Sequence, residues 1–237
     1  MKKLSFFAFI LFATPTYASQ VLEDYRQMDE IALHAGADKG SHFHNYTEVY
    51  SRYFAPLRDK PIKFLEIGIN TGSSVKMWEE YFPFAELHFM DITFENIQYH
   101  TKRAQYHQYD QENISALEHF AQENGSNFDV ILDDGGHTMR QQIHSFIALF
   151  PHVKSGGMYI IEDLHTSYWP GHFGGGGEDS TVNFLKKLID EVNYVGATTT
   201  RANHTKLPLE VLNGLNLYQK EIYSMHFYDS IVIIIKR

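Results

Sequence analysis

The sequence predicts an α/β fold: a doubly wound, mostly parallel sheet, preceded by a helical cover and closed by an antiparallel C-terminal hairpin. Three observations predict it. After Pro61, short apolar strands alternate with helical stretches, as in a parallel sheet covered on both faces. Phe64 to Ile67 runs directly into a loop carrying Gly68 and Gly72 and then into a helix, the arrangement that places a ligand at the carboxyl end of a strand. The last two strands, Glu221–Phe227 and Ser230–Lys236, are separated only by Tyr228 and Asp229, a link that closes a hairpin but cannot make a parallel crossover.

The elements follow in chain order. Lys2 and Lys3 precede a ten-residue apolar run, Leu4 to Ala13; Pro15 breaks it, and Thr16-Tyr17-Ala18 puts small residues where a signal peptidase reads. Residues 1–18 are therefore expected to be a signal peptide and the protein to be exported, periplasmic or secreted. The competing expectations are a buried first helix or membrane anchor, and translation from Met28 to give a cytoplasmic protein. The run is too short to span a bilayer, and no later segment is apolar enough, so no stable membrane span is expected once the leader is removed. Residues 19–237 read as one domain, with 19–60 a helical cover and 61–237 the doubly wound core. Helices are expected at Val21–Leu33 and Asn45–Phe54, separated by the turn-rich Gly36–His42. Strands are expected at Lys63–Ile67, Leu87–Asp91, Asp129–Leu132 and Met158–Ile161, and helices at Ser74–Tyr81, Ile114–Glu123 and Met139–Leu149. A long loop containing Gly174 to Gly177 and a helix near Val182–Val192 come before the hairpin.

Composition narrows the function classes. A chain of 237 residues is ordinary for one α/β domain, and 43% hydrophobic with 21% charged residues excludes wholesale disorder. Asp plus Glu number 29 against 20 Lys plus Arg, a net charge of −9 without a basic block, so no nucleic acid partner is expected. The absence of cysteine excludes a disulfide scaffold, a thiolate zinc site and a thiol nucleophile. Aromatic residues at 15% suit pockets and interfaces as well as a core, including the interface of a homo-oligomer.

Two groups of residues carry chemistry. In the first, Gly68 and Gly72 let the backbone approach a ligand without an intervening Cβ. Asn70 stands where the dinucleotide fingerprint needs its second glycine, which disfavours a pyrophosphate cradle. Glu66 suits a cationic amino group, and Asp91, 23 residues after Gly68, ends the second strand where a carboxylate can bind two ribose hydroxyls. A plain strand–helix turn with a surface Asp is the bland alternative. In the second group, Asp133, Asp134 and His137 end one strand and Glu162 and Asp163 end the next. Carboxylates converging in one crevice repel and lose hydration, and a divalent cation offsets both costs. Oxygen ligands favour Mg²⁺, Mn²⁺ or Ca²⁺ over zinc. Solvated loop acids, or a helix cap at Asp133 or Asp134, are the alternatives. His144, His152, His165 and His172 lack such context and read as surface or core residues.

Together these motifs resemble the class I S-adenosylmethionine-dependent methyltransferases, and more narrowly the Mg²⁺-dependent sugar O-methyltransferases of macrolide biosynthesis, the mycinamicin and macrocin type. The resemblance rests on Gly36–His42 with Tyr46, Leu65–Gly68, Met77-Trp78 with Tyr81-Phe82-Pro83, Asp91-Ile92, Asp110-Gln111, Asp133–His137, Gly156-Gly157 with Tyr159, Glu162-Asp163-Leu164, Ser167-Tyr168-Trp169 and His226-Phe227-Tyr228, in order along the chain. It implies a seven-stranded Rossmann-like sheet whose last strand is antiparallel, in agreement with the hairpin ending at Lys236. It implies S-adenosylmethionine held by Glu66, Gly68, Asn70 and Gly72, with Asp91 on the ribose, Asp110 near the adenine and Asp133 beside them. It implies Mg²⁺, or Mn²⁺, ligated by Asp134, Glu162 and Asp163, with His137 as general base. Gly136 stands where the family motif usually has Ser, and Glu162-Asp163 stand where catechol-type enzymes have Asp-Asn, which disfavours a catechol.

The implied reaction is methyl transfer to a hydroxyl of a sugar or glycosylated small molecule. A sugar hydroxyl is a weak acid, so a cation that lowers its pKa and a histidine that accepts its proton near neutrality are both useful. His137 fits by position, the alternatives being a structural partner or a metal ligand. The Asp38–His42 loop with Tyr46, and Ser167 to Gly177, look like covers for the crevice, Gly174–Gly177 otherwise being a plain flexible loop. Two other functions use the same features: an exported non-catalytic binding or effector protein on this fold, and a metal-dependent hydrolase, which would leave the glycine loop and Asp91 idle.

Overall fold

A computed structural model describes residues 17–199 and 206–237. The leader expected at residues 1–18 lies outside the described residues up to Thr16; Tyr17 and Ala18 open the first helix. Two helices, α1 (Tyr17–Ala35) and α2 (Tyr46–Phe54), precede the sheet. The core then runs β1 (Lys63–Ile67), α3 (Ser73–Tyr81), β2 (Glu86–Asp91), β3 (Ala104–Gln108), α4 (Ile114–Glu123), β4 (Phe128–Asp133), α5 (Met139–Leu149), β5 (Val153–Ile161) and α6 (Thr181–Thr199). Two short helices, α7 (Leu209–Gly214) and α8 (Leu217–Glu221), lead into the hairpin β6 (Ile222–Tyr228) and β7 (Ile231–Lys236). No helix among the described residues is long and apolar enough to cross a membrane.

The seven strands lie in the order β3-β2-β1-β4-β5-β7-β6, with β7 antiparallel to both β5 and β6. The chain winds outward from β1 through β2 to β3, then returns to the other side of β1 as β4. The strand order therefore reverses between β1 and β4, where Ile67 pairs with Asp133, and a crevice opens there beyond the carboxyl ends of the strands.

Burial on both faces explains why the central strands are continuously apolar. In β1, Phe64 packs with α1, α2 and α3 in one core, while Leu65 and Ile67 pack with α4, α5 and α6 in the other. The first core is aromatic where it meets the cover: Tyr50 stacks on Phe54 at 5.0 Å, and both meet Trp78 edge-on at 5.6 Å. That packing fixes α2 against α3 and aims Tyr50 at the sheet. The β3 edge strand was not expected from its own residues; Ala104–Gln108 carries no apolar run and is half-buried or exposed.

Candidate active site

The crevice forms because three loops approach closely. Gly68 has φ 97°, and a Cβ there would lie 1.9 Å from the carbonyl oxygen of Asp134, so the β1 and β4 loops can meet only through a glycine. Gly72 has φ 89° and starts α3; a Cβ would lie 2.6 Å from the Tyr99 carbonyl oxygen. The loop between them is pinned by Asp91, which accepts N–H bonds from Ile69 at 2.8 Å and Asn70 at 3.3 Å. Asn70 itself is left-handed, φ 47°.

Two adjoining cavities, about 180 and 400 Å³, share Gly68, Asn70, Asp134 and Gly135. Asp91, Ile92, Tyr109, Asp110 and Gln141 line the smaller one, beyond β2 and β3. Asp38, Ser73, Ser74, His137 and Asp163 line the larger one, beneath the α1–α2 loop. Gly68, Asn70, Asp91, Asp110, Asp134, His137 and Asp163 thus stand on one continuous wall.

The remaining expected site residues lie behind that wall. Asp133 is 1% exposed and does not line either cavity. Its carboxylate accepts hydrogen bonds from Gln111 Nε2 at 2.5 Å, from Ser145 Oγ and from the Gly135 N–H at 3.3 Å. Burial raises its pKa to about 6 against those bonds. Gln111 in turn accepts the Gly136 N–H at 3.0 Å, so Asp133 sets the loop that forms the cavity floor. Glu66 is fully buried and accepts from Ser74 Oγ at 2.8 Å and Trp78 Nε1 at 3.1 Å. Burial lifts its pKa to about 7 despite the pull of Lys39.

Glu162 differs most from expectation. The group of donors that comes within 4.8 Å is Asp134, His137 and Asp163, without Glu162. The carboxylate of Glu162 instead accepts from the Tyr50 hydroxyl and, at 3.1 Å, from Lys39 Nζ. Burial first, then the charge of Asp134, pushes its pKa well up. His137 Nε2 stands 3.4 Å from Asp163 and 3.9 Å from Asp134, while its Nδ1 is buried without a hydrogen-bond partner among the described residues. Its backbone is left-handed, φ 58°, and its carbonyl accepts from Thr166 Oγ1 at 3.0 Å. A non-glycine residue held there is a strain that the surrounding contacts must maintain.

Lys39 lies in the turn-rich Gly36–His42 stretch, where residue type and spacing alone assign it no role. Its side chain is fully buried, and its ammonium donates to Asp134 and Glu162 and lies 3.7 Å from Glu66 and 3.9 Å from Asp38. Burial pushes Lys39 down, but the four carboxylates outweigh it and hold the ammonium well above its ordinary range. The loop that delivers it is fixed by Asp29, which accepts from the Ser41 N–H at 2.7 Å and Thr47 Oγ1 at 2.9 Å; the Lys39 carbonyl accepts the Thr47 N–H at 3.0 Å. Tyr46 from α2 donates to Asp163 at 2.7 Å. His165, read as a surface or core residue, in fact stands 4.0 Å from Asp163. No spacing in the chain signals these contacts, since Lys39 and Glu162 are 123 residues apart.

The donor chemistry fits the groups expected here. Asp91 and Asp110 offer acceptors to hydroxyl and amine hydrogens at a cavity on the switch point, and the Asp134 and Asp163 carboxylates suit a hard divalent cation, with the His137 imidazole beside them.

Fold and site together define the class I S-adenosylmethionine-dependent methyltransferase fold. Within that class the chain resembles the sugar O-methyltransferases of macrolide biosynthesis. It is 36% identical over 204 residues to the L-olivosyl-oleandolide 3-O-methyltransferase of Streptomyces antibioticus, covering 81% of this chain and 52% of that protein. It is 31% identical over 216 residues to the 8-demethyl-8-alpha-L-rhamnosyl tetracenomycin-C 2'-O-methyltransferase of Streptomyces olivaceus, covering 87% of this chain and 54% of that one. Among solved structures, the MycE methyltransferase of the mycinamycin biosynthetic pathway, in complex with Mg, SAH and mycinamycin VI, superposes with a TM-score of 0.73 at 28% identity, covering 88% of this chain and 54% of that one. The chain thus spans about half the length of the curated relatives it matches. No protein-family model matches it.

Proposed function

We propose that the protein is an S-adenosylmethionine-dependent, Mg²⁺-assisted O-methyltransferase acting on a hydroxyl of a sugar or glycosylated small molecule. The observation that carries this reading is the convergence of Asp134, His137 and Asp163 within 4.8 Å on the wall of a switch-point cavity. When bound, the cofactor supplies an activated methyl group, and the divalent cation supplies charge that lowers the pKa of an acceptor hydroxyl. Asp91 and Asp110 hold the nucleoside end, and the Gly68–Gly72 turn lets the backbone lie against the rest. Asp134 and Asp163 hold the cation, with the buried Glu162 carboxylate close enough for both their charges to act on it. His137 Nε2 takes the hydroxyl proton, standing 3.4 Å from Asp163 and 3.9 Å from Asp134.

Export through the leader at residues 1–18 is part of the same proposal. N-terminal sequencing of protein from the native cell reads it directly: a start after Ala18 supports export, and a start at Met28 replaces it with a cytoplasmic enzyme.

The test of the reaction is single-turnover methylation of a glycoside panel with labelled cofactor, with and without chelator. His137→Ala is expected to lower turnover about 10²- to 10⁴-fold while S-adenosylhomocysteine binding stays intact. Turnover unchanged by chelator removes the metal from the proposal, and a His137→Ala enzyme as fast as wild type removes the base.

A further inference from the structure

Aromatic rings line one side of the acid cluster in an unbroken sequence that methyl transfer itself does not require. His44 stacks on Tyr46 at 4.9 Å, and Tyr46 is bonded to Asp163; Phe43, 69% exposed, meets His44 edge-on at 4.5 Å. Across Asp163, His165 is hydrogen-bonded to Ser230 and meets Trp169, 49% exposed, at 4.5 Å. His44 and His165 lie 6.3 Å apart, which joins the two halves. Trp169 continues to Phe173 at 5.7 Å, and Phe173 lines a separate cavity of about 570 Å³ with Met139 and Ile143.

Single exposed rings are ordinary on a protein surface, whereas contiguous exposed apolar area marks a binding site; here the buried Tyr46 supports the ring of His44. The glycine-rich stretch fixes the Trp169 side. Gly175 N–H donates to the Trp169 carbonyl at 2.9 Å, Gly176 N–H to the Ser167 carbonyl at 2.7 Å, and Met139 N–H to the Phe173 carbonyl at 3.1 Å. A Cβ at Gly175 would fall 2.2 Å from the Thr166 carbonyl oxygen, so the stretch lies tightly against the Trp169 segment. Aromatic faces gain most from flat or apolar partners, and the cavity volume is within the roughly 300–1,000 Å³ range of small-molecule sites.

We propose that this wall is the aglycone subsite of the acceptor: the sugar faces Asp134, His137 and Asp163, and a flat, apolar aglycone runs along Trp169 toward the cavity at Phe173. The inference rests on the glycoside-methyltransferase reading and adds to it which residues choose the aglycone.

The test is calorimetric binding, in the presence of S-adenosylhomocysteine and Mg²⁺, of methyl α-L-rhamnopyranoside and of its 4-methylumbelliferyl counterpart, which adds a flat two-ring aglycone to the same sugar. Wild type is expected to bind the umbelliferyl glycoside roughly tenfold more tightly, the scale of one aromatic contact with its buried area. Trp169→Ala is expected to abolish that preference and leave the methyl glycoside within about twofold of wild type. Ile143→Trp, which fills the cavity from α5, is expected to weaken only the umbelliferyl glycoside. Both variants should bind S-adenosylhomocysteine as wild type does, which certifies the fold. Equal binding of the two glycosides by wild type, or a preference that survives Trp169→Ala, overturns the subsite. Failure of wild type to bind either glycoside while S-adenosylhomocysteine still binds overturns the sugar-acceptor reading itself, and the subsite with it.

Discussion

At the ends of β4 and β5 the protein buries carboxylates by two different means. Asp133 is surrounded by neutral donors, Gln111, Ser145 and a backbone N–H, with Tyr159 OH at 3.4 Å. Glu162 has a phenol and an ammonium, Tyr50 and Lys39, and shares that ammonium with Asp134 and Glu66. Hydrogen bonds from neutral donors hold a carboxylate in one geometry and leave its charge inside the protein. An ammonium cancels charge, and a cancelling charge can be exchanged for another cation. Asp133 is therefore built into a floor, and the cluster of Asp134 and Glu162 is a place where positive charge belongs.

The largest effect should come from removing that positive charge. Lys39→Met leaves Glu66, Asp134 and Glu162 without their shared cation, and stripping one partner from a buried ion group costs about 3–5 kcal/mol. Urea denaturation in chelator is expected to show that loss, with Mg²⁺ restoring more stability to the variant than it adds to wild type. Adding Glu162→Gln to Lys39→Met should recover part of the loss without metal. A Lys39→Met protein as stable as wild type in chelator would erase the contrast between the two strand ends.

Asp133 tests the other side of the comparison through pH. Its folded pKa of about 6 lies above the ordinary 3.8, so between these values the folded state holds a proton that the unfolded state has lost. Stability from this group is complete below the unfolded value and is lost as pH rises through about 6. The full span amounts to roughly 3 kcal/mol, an order-of-magnitude figure. Asp133→Asn, which resembles the protonated acid, should lose less stability than wild type between pH 5 and pH 7.5. Identical changes in the two proteins would mean that the neutral donors already compensate the charge.

The parts of the molecule visible in the sequence are those set by local pattern. β1, α4 and α5 fall where apolar periodicity and glycines put them, and the hairpin follows from a two-residue link. β3 escaped because its exposed edge removes the apolar signal, and β5 begins at Val153, earlier than Met158, because Lys154, Ser155 and Gly156 are exposed. The site follows the same division. Asp91, Asp134 and His137 stand at strand ends, so strand prediction alone brings them to the crevice. Lys39 and Tyr50 reach it from the helical cover across more than a hundred residues of chain in the case of Glu162, a distance over which spacing carries no information. What Glu162 does in the cluster depends on those partners, so its neighbourhood was not legible from the Glu162-Asp163 pair.

Asp91 is the intermediate case, and its substitution should have the smallest effect of the three. It is half-buried at the end of β2, lines the 180 Å³ cavity, and among the described residues accepts from the backbone N–H groups of Ile69, Asn70 and Thr93. A carboxylate has about four acceptor positions, so three N–H bonds leave room for a ligand hydroxyl. Asp91→Ala is expected to weaken S-adenosylhomocysteine by about 1.5–3 kcal/mol, the range for a hydrogen bond to a charged group. Part of that loss could come from a loosened Gly68–Gly72 loop, and the two contributions separate by measurement. A loosened loop lowers the thermal stability of the free protein, whereas a lost ribose contact lowers only the stabilisation that the ligand adds. Comparing S-adenosylhomocysteine with S-(2'-deoxyadenosyl)homocysteine sharpens the point: wild type should discriminate against the deoxy compound, and Asp91→Ala should not. If the variant still discriminates, the ribose contact belongs to another group on that wall, where Asp110 and Asp134 are the other acids of the small cavity.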